Sequence, residues 1–220
     1  MVKTIPELIT DYITYSNPYK ISHAHGVIIE QSGVYKSTKA SSAKKATLTS
    51  KIEYPHIEFY QELSHFGKSI QLGIESENCF YKEKKFGFNS LSLDHSNELF
   101  RNHIIYYLST LPWMPWTFGA DHIILQELEP NIIEVCLAHY PEIKGVFVFS
   151  DERKIHSFHS SYNSLTSPKE DWTDWLAVYG KYNIKKTYKV PTDVKYSKLN
   201  DAGDEFMYLH LEKIVGYTVL

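Results

Sequence analysis

Between residues 69 and 93 the chain reads SIQLGIE, NCFYKEK and FGFNSLSL, three short runs of apolar and aromatic residues broken by Gly, Asn and Ser. Strands that follow one another so closely turn back on themselves, because parallel pairing needs a long crossover between them. The stretch therefore predicts an antiparallel meander. HGVIIEQ (25–31) and IHSFHS (155–160) also read as strands, and GVFVFS (145–150) as a strand buried on both faces. STKASSAKKATLTSK (37–51) reads as a hairpin tip running into a further strand. Strands and helices do not alternate regularly, which excludes a doubly wound sheet. The pattern predicts an α+β fold: a mostly antiparallel sheet of short strands with about four helices packed against it. No linker or repeat divides the chain, so one domain over residues 1–220 is expected.

Four segments carry helical spacing. In residues 5–15, Ile5, Leu8, Ile9, Tyr12 and Ile13 share a face and Pro6 suits the first turn. In 96–111, Leu99, Phe100, His103, Ile104, Tyr107, Leu108 and Leu111 recur at helical intervals before Pro112. A short helix is read from Pro130 to His139, stopped by Pro141. The fourth, 168–179, has Ser167 as N-cap, Pro168 in the first turn, Glu170 closing a capping box, and an apolar stripe of Trp172, Trp175, Leu176 and Tyr179. The tail GDEFMYLHLEKIVGYTVL fits either a helix ending at Gly216 or a strand.

Charge and composition narrow the function classes. The formal net charge is −3, and only Arg101 and Arg153 among 23 basic residues are arginines. No general positive field draws the chain to nucleic acid, and the bidentate donors that read bases are scarce. Aromatic residues make up 15% of the chain, including 17 Tyr, which suits either a strand-rich core or a recognition surface. Cys79 and Cys136 belong to no CxxC pair and read as buried, reduced thiols. Glu7 and Asp11 interrupt the N-terminal segment where a signal peptide would be apolar, and no run reaches a membrane span of about 18 residues. The expectation is a cytoplasmic protein with no membrane segment and no cofactor.

Three stretches could carry function. His23 and His25, with Glu30 five residues on, form HAHGVIIE, which resembles the HxHx4E core of the first cupin motif. That resemblance implies a divalent metal on His23, His25 and Glu30 inside a small β-barrel. The flanking glycines of the cupin pattern are missing, and no second motif follows. KYNIKKTYK (181–189) interleaves Tyr182 and Tyr188 with lysines, as a single-stranded RNA platform would. LPWMPWTFG (111–119) crowds Trp113, Met114, Trp116 and Phe118 into a proline-stiffened loop, which would either present them to a partner or fold them onto the core. Nucleophile elbows, P-loops and GxGxxG motifs are absent. The reading is a non-catalytic, protein-binding protein of bacterial inhibitor or immunity type, with its partner docking on Trp113, Met114, Trp116 and Phe118. A metal-dependent enzyme is the first alternative and an RNA-binding module the second.

Overall fold

The computed structural model describes residues 5–17, 25–36, 42–53, 58–65, 67–75, 78–85, 88–92, 97–162, 173–185, 188–199 and 205–217. A helix α1 (Glu7–Ser16) leads into six strands: β1 (Gly26–Lys36), β2 (Lys44–Glu53), β3 (Glu58–His65), β4 (Lys68–Glu75), β5 (Asn78–Lys85) and β6 (Phe88–Ser92). Helix α2 (Asn97–Thr110) and two short 3-10 helices, Leu111–Trp113 and Pro115–Gly119, come next. Seven strands close the chain: β7 (Ile123–Glu129), β8 (Ile132–Leu137), β9 (Tyr140–Phe149), β10 (Ile155–Tyr162), β11 (Thr173–Lys185), β12 (Tyr188–Leu199) and β13 (Glu205–Tyr217).

These strands form one antiparallel sheet in the order β6-β5-β4-β3-β2-β1-β13-β12-β11-β10-β9-β8-β7. Two meanders, one on each side of α2 in sequence, are therefore sewn together where the last strand pairs with the first. Ile29 of β1 sits opposite Ile214 of β13, and a bulge follows at Glu30/Gln31. Alternation sets the faces: Val27 and Ile29, Leu48 and Ile52, and Phe59 are buried on the same side, while Ile28, Thr49, Lys51 and Tyr60 are less so.

The sheet curls around α2. Nine strand positions separate β5 from β9 in the order, which is about 43 Å along a flat sheet. Yet one turn of α2 touches both. His103 donates from Nε2 to the Phe80 carbonyl of β5 at 3.2 Å, and the Phe100 ring lies 4.7 Å from that of Tyr140 in β9. Only a strongly bent sheet brings those strands to one helical turn. Beyond α2, the inner face is filled by α1 and the 3-10 segment. Tyr12 donates to the Pro112 carbonyl at 3.0 Å, and its ring packs edge-on against Phe118 and Phe149.

Several expectations are corrected. The chain is mostly β, with two α-helices among the described residues, and not a sheet under four helices. Residues 167–172 lie outside the described residues, and from Thr173 onward the expected fourth helix is β11. Its inward side chains are Trp175, Ala177 and Tyr179, a period of two, and ladders to β10 and β12 occupy both edges. Those ladders and the burial of alternate side chains outweigh a capping box worth about 1 kcal/mol. The expected helix Pro130–His139 is instead a turn at Pro130 and Asn131, with Asn131 at φ 68°, followed by strand β8. The tail forms β13. GVFVFS lies in β9 but is buried on one face: Gly145, Phe147 and Phe149 point inward, and Val146 and Val148 are only half-buried.

A candidate ligand cavity under the second helix

The core does not fill the curl completely. Towards one end of the sheet a cavity of about 220 Å³ lies between α2 and the inner face. Its floor is Leu48 of β2, Leu63 of β3, and Ile70 and Leu72 of β4, continued by Tyr81 of β5 and by Met207 of β13. One wall is aromatic. Tyr106 of α2 meets Trp175 edge-on at 4.5 Å, and Trp175 stacks on Tyr196 at 5.5 Å. Both meanders contribute, so the pocket exists only because β13 returns to β1.

The position of α2 is fixed from its C-terminal end, which leaves the cavity open instead of collapsed. Tyr179 donates to the Ser109 carbonyl at 2.5 Å, and Trp113 donates to the Pro191 carbonyl at 2.9 Å. These bonds satisfy carbonyls in a buried region and tie the helix end to β11 and β12.

The cavity is nearly apolar and uncharged. Among its described lining residues there is no Asp, Glu, His, Lys or Arg. Burial raises the Tyr81 phenol, with Glu83 adding to the effect, and burial raises that of Tyr196 as well, so both stay neutral at physiological pH. The one amide in the lining is Gln61, whose Nε2 donates to the Ser50 hydroxyl at 3.0 Å. On the same inner face Gln31 is 4% exposed, and its Nε2 has no acceptor among the described residues. The same is true of the buried Trp175 Nε1.

The residues singled out in the sequence are placed elsewhere. Trp113, Met114, Trp116 and Phe118 are 1%, 2%, 7% and 0% exposed. The proline-stiffened segment thus folds inward, and the expectation that it presents an indole to a partner is corrected. Its prolines open the two 3-10 turns that aim the rings at Tyr179, Tyr188 and Phe147. Of the proposed metal ligands, His23 lies outside the described residues. His25 is exposed on a bend ahead of β1, and Glu30 pairs with Lys213 at 3.0 Å. Among the described residues no group of three His, Cys, Asp or Glu side chains is close enough to hold a metal. The RNA platform fails on its tyrosines. Tyr182 points inward and donates to the Ile155 carbonyl at 2.8 Å, and Tyr188 is buried against Trp116. Lys189 caps the Tyr15 ring at 4.1 Å.

The opposite face carries one further arrangement. Asp193, His210 and Ser32 stand in register across β12, β13 and β1, with His210 Nδ1 2.7 Å from the buried carboxylate. The row resembles a catalytic triad in order only. The Ser32 hydroxyl donates to Glu212, and β1 is paired on both edges, so its amides are used in the ladders. Sequence reading missed the cavity because its lining comes from nine elements. The signal present in the sequence is the alternation within single strands, as in Gln61 and Leu63 or Ile70 and Leu72.

The model of a family of unknown function, DUF6544, matches residues 1–211. Among solved structures, a DUF1329 family protein from Desulfovibrio piger is similar, with 8% identity over 97% of this chain and 94% of that one and a TM-score of 0.52. That likeness concerns the fold. An outer membrane lipoprotein-sorting protein domain from Vibrio parahaemolyticus, so described provisionally, shares 10% identity over 97% and 92% of the two chains at a TM-score of 0.49. A LolA superfamily protein from Nitrosomonas europaea shares 11% over 99% and 95% at 0.46. No curated protein matches. The inhibitor or immunity reading is corrected by the buried loop, whose four docking residues face inward, and its metal-enzyme alternative by the pairing of Glu30 with Lys213. The cytoplasmic expectation is withdrawn with it. The two thiols are neutral on the point: Cys79 and Cys136 are buried and unpaired, on strands β5 and β8. Among the described residues no helix is long and apolar enough to cross a membrane, which leaves strands unaddressed.

Proposed function

The chain belongs to the DUF6544 family of unknown function, and for it we propose a carrier role: it binds an apolar ligand in the cavity between the curled sheet and α2. The observation that carries this reading is the cavity itself, about 220 Å³ and lined almost wholly by aliphatic and aromatic side chains. A dry cavity of about 150 Å³ already accepts benzene, so this larger and partly open one takes an aromatic ring system or an alkyl chain. Burial of that apolar surface supplies the affinity at roughly 25 cal/mol per Å² before ordering costs. A carrier needs a donor and an acceptor for its cargo, and the protein partner expected from the sequence is kept in that role.

The test uses N-phenyl-1-naphthylamine, which brightens in apolar surroundings. Titration into the protein is expected to give a saturable rise at one site. Leu72→Trp places an indole in the floor of the cavity and is expected to weaken binding at least tenfold, at an overpacking cost of about 1–3 kcal/mol. A wild-type protein that gives no saturable signal, or a Leu72→Trp variant that binds as wild type does, overturns the reading.

A further inference from the structure

We infer that the ligand of this cavity is an uncharged molecule bearing a hydrogen-bond acceptor beside its apolar part, such as an acyl ester, and not a fatty acid anion. The inference rests on the carrier reading and names the chemical class it accepts. Its first support is charge. No cationic side chain is among the described residues lining the cavity. A carboxylate drawn beneath α2 would leave water without gaining a counter-ion, and an isolated buried charge is costly.

The second support is an imbalance of hydrogen-bonding groups. Buried N–H donors are almost always paired, and an orphaned one calls for an explanation. Two stand in or beside this cavity. The Trp175 ring is part of the wall, and its Nε1 is buried with no acceptor among the described residues. An indole nitrogen can only donate, so the group it lacks is an acceptor. Gln31 is directly across from Leu48, which lines the cavity, and its amide nitrogen is unpaired in the same way. Among the cavity's described lining residues and Gln31, the buried atoms left without a hydrogen bond are both nitrogens. A ligand carbonyl supplies what both nitrogens lack.

The experiment compares methyl octanoate with octanoate as competitors of N-phenyl-1-naphthylamine at about pH 8, where a carboxylic acid is ionised. Methyl octanoate is expected to displace the probe at a concentration at least tenfold lower than octanoate. Trp175→Phe keeps an aromatic ring in the wall and removes the donor along with part of the ring area, and it is expected to cut the preference for the ester roughly tenfold. Gln31→Leu gives a second variant from a different strand, expected to act in the same direction, and circular dichroism checks that both remain folded. Octanoate competing as well as the ester overturns the inference while probe binding keeps the carrier reading. A preference that survives both substitutions unchanged also overturns it. Failure of the probe to bind at all removes the carrier reading and the inference together.

Discussion

At the residue scale the most constrained polar group is Asp193, whose side chain is 8% exposed on the outer face. Burial alone would raise its pKa, but the hydrogen bond from His210 and the Lys181 ammonium at 3.3 Å override it and hold the carboxyl below its ordinary value of 3.8. A carboxylate with a depressed folded-state pKa stabilises the fold above its unfolded value. That stabilisation is lost as the pH falls below 3.8 through the depressed value. His210 and Lys181 are themselves largely in solvent, so screening keeps the gain small. Asp193→Asn is expected to cost about 1–2 kcal/mol at neutral pH, with the gap to wild type shrinking below about pH 4. Urea midpoints of both proteins across that range check it, and a gap that widens in acid contradicts the assignment. Nothing in the sequence around Asp193 announces this cluster, because its members come from three strands that only the register brings together. The tryptophans of residues 113–118 mark the opposite limit. Their crowding was visible, but whether they faced inward depended on Tyr179, Tyr188 and Phe147, none of them a neighbour in sequence.

At the scale of elements, the critical join is β1 with β13. Gly33 sits just past the bulge in β1, opposite Leu209, and a Cβ built there would lie 1.9 Å from the Tyr208 carbonyl oxygen. Backbone cannot yield as a flexible side chain can, so any larger residue pushes the two strands apart. Gly33→Ala is expected to cost about 2–3 kcal/mol or more, a melting-temperature drop of roughly 5–10 °C for a chain of this size. Gly180→Ala is the control, since its added methyl meets Asp193 Cβ at an ordinary 3.9 Å and should leave stability within about 0.5 kcal/mol. Equal effects from the two would show that the seam is no tighter than other strand pairs. Elements whose information is local were legible from the sequence: α1 and α2 from apolar spacing, and the strands within 69–93 from breakers and β-formers. The segment read as a helix at 168–179 went wrong for the same reason. Its cap and its tryptophan stripe are local features, whereas the two partner strands that make Thr173–Lys185 an interior strand are not.

At the scale of the whole molecule, the return of β13 to β1 decides both cooperativity and binding. Without that pairing there would be two separate meanders and an open seam. With it, β1 to β5 and β11 to β13 surround one cavity, and α2 bridges them. A ligand in that cavity touches both halves, so it stabilises the sheet as a unit. Bound at a hundred times its Kd, it adds about 2.7 kcal/mol to the unfolding free energy. For a chain of about this length each kcal/mol moves the melting temperature by roughly 2–4 °C, giving an upward shift of about 5–11 °C. Calorimetry with methyl octanoate is expected to show one transition that moves whole by that amount, and none of the shift in Leu72→Trp. Two transitions, of which only one responds, would mean that the meanders unfold independently and that the seam does not couple them. A shift equal in wild type and Leu72→Trp would place the ligand outside the cavity, on another surface of the sheet.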